Sequence, residues 1–343
     1  MELFDLGALT GATPPGSLRT LAGQFLTHSN AHVRIPGAMP GCYAIANLSD
    51  RQYHEEMDGV STSGLKAILR SPAHFQAYKR NGSNDTPSRR FGRATHAWVL
   101  EPDVFWDKFV VWNGGRRQGN EYDAFVDKHP SKTILTADEF ERVQGAGGSI
   151  LSNADFPLKA YLFDQPDPTV TVREFSIFWE DPVTKVKMKA RLDAGRLTAP
   201  LASAFDLKTT DDAREHSFTR QMFDLHYDMQ AAVYMEALLH FTGKYGPFIL
   251  GAVEDKDPHG SNFFGLDPHG DDIVENGRKK MRAALRRYSD CMHSGEWPSY
   301  PNRGIIKPTM HHWQQFYDND EVGGREQPAP QSTCEVASEP VTG

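Results

Sequence analysis

The stretch from Lys187 to Tyr234 constrains the fold most, because two strand-like segments and a helical one follow each other there with charged residues at fixed spacing. Val186, Met188, Ala190 and Leu192 alternate with Lys187, Lys189, Arg191 and Asp193, the period of two expected of a half-buried strand. Gly195 and Pro200 punctuate a turn region, and Ala204 to Lys208 reads as the returning strand. Residues i and i+2 of a strand share a face, so Asp206 and Lys208 point one way and Phe205 and Leu207 the other. Pairing of the two strands brings Asp193 near Asp206. Two carboxylates and a lysine at neighbouring strand ends suit a magnesium site, with hard oxygen ligands for the ion and an ammonium beside it for water or phosphate. By itself Asp-x-Lys is a weak signal, since most occurrences are a surface strand with a salt bridge.

The 343 residues are enough for one large domain or two. A net charge of −8 argues against a protein that coats nucleic acid by bulk charge, but not against a DNA enzyme, whose metal-site carboxylates are themselves acidic. From Asp318 onward the chain is acidic and rich in Gly and Pro, the composition of a disordered tail (318–343). Cys42, Cys291 and Cys334 lie far apart without C-x-x-C spacing, which indicates neither a disulfide framework nor a zinc or iron–sulfur cluster. No apolar run approaches the roughly 20 residues of a spanning helix, and the first residues lack a charged-then-apolar signal pattern. The expectation is a reducing, soluble compartment and no membrane partner.

Residues 1–48 show no sustained periodicity and read as an extension, with one short helix near Leu18–Leu26. Order is expected from Tyr53. Ser61-Thr62-Ser63 caps a helix carrying Leu65, Ile68 and Leu69, Ser71-Pro72 breaks it, and Ala73–Arg80 resumes. Phe91–Leu100 reads as a helix, Phe105–Val111 as a strand, and Glu121–Lys128 and Ala137–Ser152 as helices. Thr169–Trp179 alternates, with Val170, Val172, Glu174, Ser176 and Phe178 on one face and Phe175, Ile177 and Trp179 on the other. A long helix over Ser217–Thr242, strands at Phe248–Glu254 and Ser261–Leu266, and a final helix over Asp271–His293 complete the pattern. Asp-Pro-His-Gly occurs twice, at Asp257–Gly260 and Asp267–Gly270, and reads as turn chemistry rather than metal binding.

Around the strand pair several residues have two readings. His96, on the helix before Glu101-Pro102, is either a packed histidine or a nitrogen ligand, and the latter favours a site that accepts Mn²⁺ as well as Mg²⁺. Glu174 is either a paired core carboxylate or a further metal-site carboxylate. Gln230 and Tyr234 share a helix face with Phe223 and Tyr227, and a glutamine in such a stripe needs partners once buried. Four basic clusters, Arg89-Arg90-Arg93, Arg116-Arg117, Lys185 to Arg191 and Lys279 to Arg287, read together as phosphate-tracking surfaces.

The order G-x-x-x-H-x-x-x-x-E (Gly92, His96, Glu101), a strand glutamate, R-x-D (Arg191, Asp193), D-x-K (Asp206, Lys208) and Q-x-x-x-Y (Gln230, Tyr234) resembles the PD-(D/E)XK nuclease superfamily in its RecB-like branch. It is most similar there to the exodeoxyribonuclease VIII (RecE-type) catalytic domain. Ser61–Ala77, Phe91–Pro102 and Gly295-Glu296-Trp297-Pro298 extend the similarity over Leu48–Tyr300. The resemblance implies one α/β nuclease domain over 49–317, a mixed central sheet flanked by helices. It implies His96, Asp193, Asp206 and the Leu207 carbonyl as metal ligands, with Glu174 as a further one, and Lys208 as the catalytic lysine. Gln230, Tyr234, Arg93 and Ser63 are the implied substrate contacts. The implied activity is a Mg²⁺-dependent exonuclease that resects linear duplex DNA 5′→3′ in a bacterial or phage-infected cell and leaves 3′ single strands for recombination. A ring-like trimer or tetramer and a RecT-type annealing partner follow from the same resemblance. A structure-specific or end-trimming nuclease, and a non-catalytic DNA-binding module on this fold, are the alternatives. The absent cysteine cluster departs from the iron–sulfur relatives.

Overall fold

The computed structural model describes residues 37–308 apart from 47, 83–84, 164–170, 198–201 and 302–303. The helix expected at Leu18–Leu26 and the tail expected from Asp318 lie outside these residues. Met1–Tyr300 forms one compact unit and Pro301–Gly343 a second, of which the few described residues form no helix or strand.

Tyr43–Ile45 forms β1, so the segment read as an extension contributes an edge strand well before Tyr53. The next helix starts are set by hydroxyl caps. Ser61 Oγ accepts from the Gly64 N–H at the start of α1 (Thr62–Arg70), and Ser71 Oγ from the His74 N–H at the start of α2 (Pro72–Asn81). Thr86 caps α3 (Pro87–Leu100), which starts before the expected Phe91 because Pro87 suits a first helical turn.

Phe105–Val111 is not one strand. It divides into a helical turn, α4 (Phe105–Lys108), and β2 (Phe109–Trp112). After α5 (Asn120–Lys128), β3 (Thr133–Thr136) pairs parallel to β2. A reciprocal capping box between Thr136 and Glu139 opens α6 (Ala137–Ser152), and α7 (Leu158–Leu162) follows. β3 and α7 have no counterpart in the sequence reading, since elements of four and five residues carry too little periodicity to be seen.

The central sheet holds β1, β4 (Thr171–Glu180), β5 (Lys187–Arg196), β6 (Ser203–Thr210), β7 (Phe248–Glu254) and β8 (Ser261–Leu266), in that spatial order. All neighbours are antiparallel except β6 and β7. That parallel pair needs a crossover, which α8 (Glu215–Asp224) and α9 (Tyr227–Thr242) supply. The single helix expected over Ser217–Thr242 therefore breaks, at Leu225 and a left-handed His226 (φ 54°), and Phe223 leaves the stripe and is 38 % exposed. The last helix, α10 (Asp272–Ser294), runs from an Asp271 cap to Gly295.

The sheet is covered on both faces. Phe175, Ile177, Met188, Ala190, Leu192, Phe248 and Leu250 pack with α1, α9 and α10, while Ala194, Phe205, Leu207, Ile249 and Val253 pack with α3, α6 and α7. Met188, Ala190 and Leu192 therefore face one layer and Ala194 the other, although all four are even-numbered. On β4, Val172 and Phe175 share a layer where strict alternation would separate them. The phase of both strands thus inverts at the same place, Glu174 and Asp193, and Glu174 has the left-handed φ of 45° that turns the strand there. This corrects the expected faces of Thr169–Trp179, which hold only beyond Glu174.

Candidate active site

The β5–β6 pairing, Ala194 with Phe205 through Arg196 with Ser203, stops at the phase inversion. Beyond it β5 pairs with β4 and β6 with β7, so the two strands splay apart and leave backbone groups to be satisfied otherwise. Side chains fill that gap. The Leu207 N–H donates to Asp193 Oδ2 at 2.9 Å, His96 Nε2 lies 2.5 Å from the Leu207 carbonyl oxygen, and the Tyr234 hydroxyl donates to the Arg191 carbonyl at 2.8 Å. On the β5 edge Val60 takes the place of the missing strand, its N–H on the Lys187 carbonyl and its carbonyl accepting from the Lys189 N–H.

The β4–β5 register skips Glu174 and Asp193 but runs on unchanged on either side, which sets Glu174 opposite Asp193, and continuing the β5–β6 register by one step places Asp193 opposite Asp206. Three carboxylates thus lie in one row across three strands. Asp206 is 1 % exposed, takes the Gln230 amide on Oδ1 at 2.5 Å, and forms an ion pair through Oδ2 with Lys208. Glu174 is ion-paired with Arg191 at 3.1 Å, and Arg191 also reaches Asp50 at 2.6 Å. The paired-carboxylate reading of Glu174 describes what its side chain does here.

The row is short of positive charge. Burial, and next the charge of Asp206, lift the Asp193 carboxyl to about 8, and burial together with Asp193 lifts Glu174 to about 7. Burial lowers His96, which is therefore a neutral imidazole near pH 7. With Nε2–H assigned to the Leu207 carbonyl, its Nδ1 lone pair faces Asp193 Oδ2 at 3.3 Å, an arrangement that suits a protonated Asp193. Burial works against the Lys208 ammonium, but Asp206 foremost outweighs it and holds the group well above the ordinary lysine value. Lys208 is a fixed cation.

A divalent ion fits this chemistry. Asp206 Oδ2 is buried with no donor in hydrogen-bond geometry, despite its ion pair with Lys208, and the donors around it are the hard oxygens that Mg²⁺ prefers plus one imidazole. Asp193, Asp206 and the Leu207 carbonyl would hold the ion, with His96 as the nitrogen donor. As placed, these groups are clasped to one another, and among the described residues no three His, Cys, Asp or Glu side chains converge on one point. Ligation would exchange those internal bonds for bonds to the ion.

Two cavities lie beside the row, and Asp193 is the member of it that lines one of them. A cleft of about 1370 Å³ reaches His96, Leu207 and Lys208, and one of about 260 Å³ reaches Asp193, Gln230 and Tyr234. Ser63, expected as a substrate contact, lines both. Arg93 lines neither and pairs with Asp85 at 2.8 Å, whereas Arg89, one turn earlier, lines the larger cleft. The basic clusters are largely engaged within the protein. Arg90 and Arg117 pair with Glu139, Lys187 with Asp58, Lys280 with Asp228 and Arg282 with Asp181. Lys189 donates to the Tyr53 and Met57 carbonyls. These members are thus engaged within the protein, some of them through exposed ion pairs such as Lys187 with Asp58. The sequence reading does not single out Lys66 or His54, which line both cavities; neither belongs to a motif with a characteristic spacing.

The profile of a PDDEXK-like domain of unknown function (DUF3799) matches residues 61–304, most of the chain and all of the site. The chain belongs to this PDDEXK-like family. No curated protein matches it. Among solved structures it is similar to a protein from Eubacterium rectale named "Putative exonuclease", at 14 % identity and a TM-score of 0.50, over 77 % of this chain and 96 % of that one. SSO0001 (12 % identity, TM-score 0.28, 83 % and 87 % coverage) and VC1899 from Vibrio cholerae (10 %, 0.23, 74 % and 59 %) also align, at scores that carry no structural argument. The PDDEXK-like family and its mixed, mostly antiparallel sheet between helices support a nuclease. No described helix is long and apolar enough to cross a membrane.

Proposed function

We propose that this protein is a divalent-metal-dependent exodeoxyribonuclease that resects linear duplex ends 5′→3′ and leaves 3′ single strands for recombination. The observation that carries the reading is the row Glu174, Asp193, Asp206 with Lys208 two residues on, met by His96 from α3 and Gln230 from α9 at the splay of β5 and β6. Lys208 and His96 line the larger cleft and Asp193 the smaller cavity of a PDDEXK-like domain, and the name of the E. rectale structure points to exonuclease activity in a protein of similar fold. Bound Mg²⁺ or Mn²⁺ would supply the Lewis acidity that activates water and offsets charge on the scissile phosphate.

The chain's own residues do the rest. Asp206, held by Gln230, fixes the position of the Lys208 ammonium, which is protonated near neutral pH and therefore orients water and stabilises developing negative charge rather than accepting a proton. The His96–Leu207 bond holds the returning strand against α3, and the Asp193–Leu207 bond holds it against β5 where the ladder has stopped. The substrate in this reading is a duplex DNA end. The working form is a ring-like trimer or tetramer, and a RecT-type single-strand annealing protein receives the product.

The deciding assay is purified protein with Mg²⁺ on linear duplex labelled at the 5′ or the 3′ ends, beside a closed circle. Early release of 5′ label from linear DNA alone supports the reading. Early release of 3′ label reverses the polarity, and no cleavage of any substrate with either metal removes the nuclease assignment.

A further inference from the structure

Four side chains, His54, Ser63, Lys66 and Lys208, line both cavities and so form the neck between them. Ser63 and Lys66 lie at i and i+3 on α1, facing the neck together. The Lys66 ammonium is 5.0 Å from the centroid of the Tyr227 ring, and the Lys208 ammonium is 4.8 Å from the same centroid. The two cations are therefore within about 10 Å of each other, close enough to meet neighbouring phosphates of one strand. Their surroundings differ. Lys208 has Asp206, whereas among the described residues Lys66 has neither an ion-pair nor a hydrogen-bond partner.

Beside Lys66, Thr62 is 8 % exposed and lines the smaller cavity, and its Oγ1 is buried without a hydrogen-bond partner. An unpaired hydroxyl and an unpaired ammonium in one wall each cost the folded chain, because water is withdrawn and no protein group replaces it. Burial, and then Lys208, push the Lys66 ammonium down to about 7. A phosphate arriving at that wall reverses both losses: it accepts from the hydroxyls and holds the proton on the amine.

We propose that Lys66, with the Thr62 and Ser63 hydroxyls, binds a backbone phosphate of the nucleic-acid strand that flanks the phosphate facing Lys208. This rests on the nuclease reading above and deepens it by naming a second phosphate station. A purely structural Lys66 would serve to pack on Tyr227, and a substitution that keeps its shape separates the two roles.

The test measures binding of a labelled duplex in EDTA over a series of salt concentrations, for the wild type, Lys66→Met and Lys66→Arg. Lys66→Met should bind roughly tenfold more weakly at low salt, with the slope of log K against log salt reduced by about 1, while Lys66→Arg keeps the wild-type slope. The thermal midpoint of Lys66→Met should be unchanged or higher, since a half-buried unpaired charge has been removed. Wild-type affinity and slope in Lys66→Met overturn the proposal, as does a lowered midpoint with unchanged affinity. In both cases the nuclease reading stands if the wild type cleaves DNA and Asp206→Ala does not. A wild type that neither binds nor cleaves duplex DNA overturns both.

Discussion

At the residue scale the site is a problem of charge: three carboxyls in a row, two of them pushed up, and one fixed ammonium. Asp206→Ala and Asp193→Ala should each lower cleavage by at least ~10³-fold while the far-UV spectrum is kept, because an oxygen donor of the proposed site is lost and a like charge is removed from the metal-free row. Near-normal cleavage by either purified variant would falsify the assignment. Lys208→Ala should lose turnover by ~10²–10⁴-fold and DNA affinity hardly at all, since the ammonium acts on charge that develops in the transition state. Unchanged turnover with weakened affinity would make Lys208 a phosphate contact. The pH dependence follows from Asp193. Its folded carboxyl keeps the proton up to about 8, whereas an unfolded one releases it near ~3.9, so the contribution is present at low pH and is lost as pH rises from about 4 through 8. Asp193→Asn in EDTA should therefore melt higher than the wild type at pH 8, by a few degrees if ~1 kcal/mol is recovered, and the difference should shrink towards pH 4. For the same reason a divalent ion must displace that proton, so its affinity should rise with pH between 6 and 8. Titration calorimetry in two buffers of different ionisation heat reads the proton release, and pH-independent binding without release removes Asp193 from the ligand set.

At the element scale the site exists because β5 and β6 pair for only three residues before splaying. Alternation in Val186–Asp193 and the Asp-x-Lys spacing made both strands legible, and the pairing that brings Asp193 opposite Asp206 follows from their antiparallel return. The joint phase inversion at Glu174 and Asp193 was not legible, since neither residue type marks a left-handed or bulged strand position. The break between α8 and α9 was hidden because Leu225-His226 contains no glycine or proline. Hydroxyl caps at Ser61 and Ser71 were plain, as local hydrogen bonds need no tertiary knowledge. Which basic residues would be engaged within the protein could not be read, because the partners of Arg90 and Lys280 lie 49 and 52 residues away in the chain. Helix packing fixes His96 from behind. A Cβ on Gly147 of α6 would lie 2.5 Å from Trp98 Cδ1, two residues beyond His96, and the Trp98 ring is enclosed by Phe105, Trp106 and Phe140. Gly147→Ala should therefore cost about 1–3 kcal/mol despite the better helix propensity of alanine, and should displace α3 and lower activity. Urea unfolding checks it, and a variant as stable as the wild type would mean that α3 and α6 part without cost.

At the scale of the whole molecule the proposed activity raises the question of how a protein of net charge −8 would keep hold of DNA while degrading it. Phosphate contacts between exposed charges are screened over ~8 Å at cellular salt, and bulk attraction is lacking here. The structure sharpens the difficulty, since Arg90, Arg117, Lys189, Lys280 and Arg282, all drawn from the basic clusters, are committed to partners within the chain. A monomer that has those cations tied up internally should dissociate after few turnovers. Encirclement by several subunits would retain the duplex topologically, with the clefts turned towards the passage and an acidic outer surface. The expected outcome is an assembly of three or four chains in light scattering, and digestion of linear duplex that continues on the same molecule after a trap of excess unlabelled DNA is added. Closed circles should survive intact under the same conditions and become substrates once linearised. A strict monomer that degrades closed circles as fast as linear DNA would sink both the ring and the end requirement, and would leave an endonuclease acting through the same Asp193, Asp206 and Lys208.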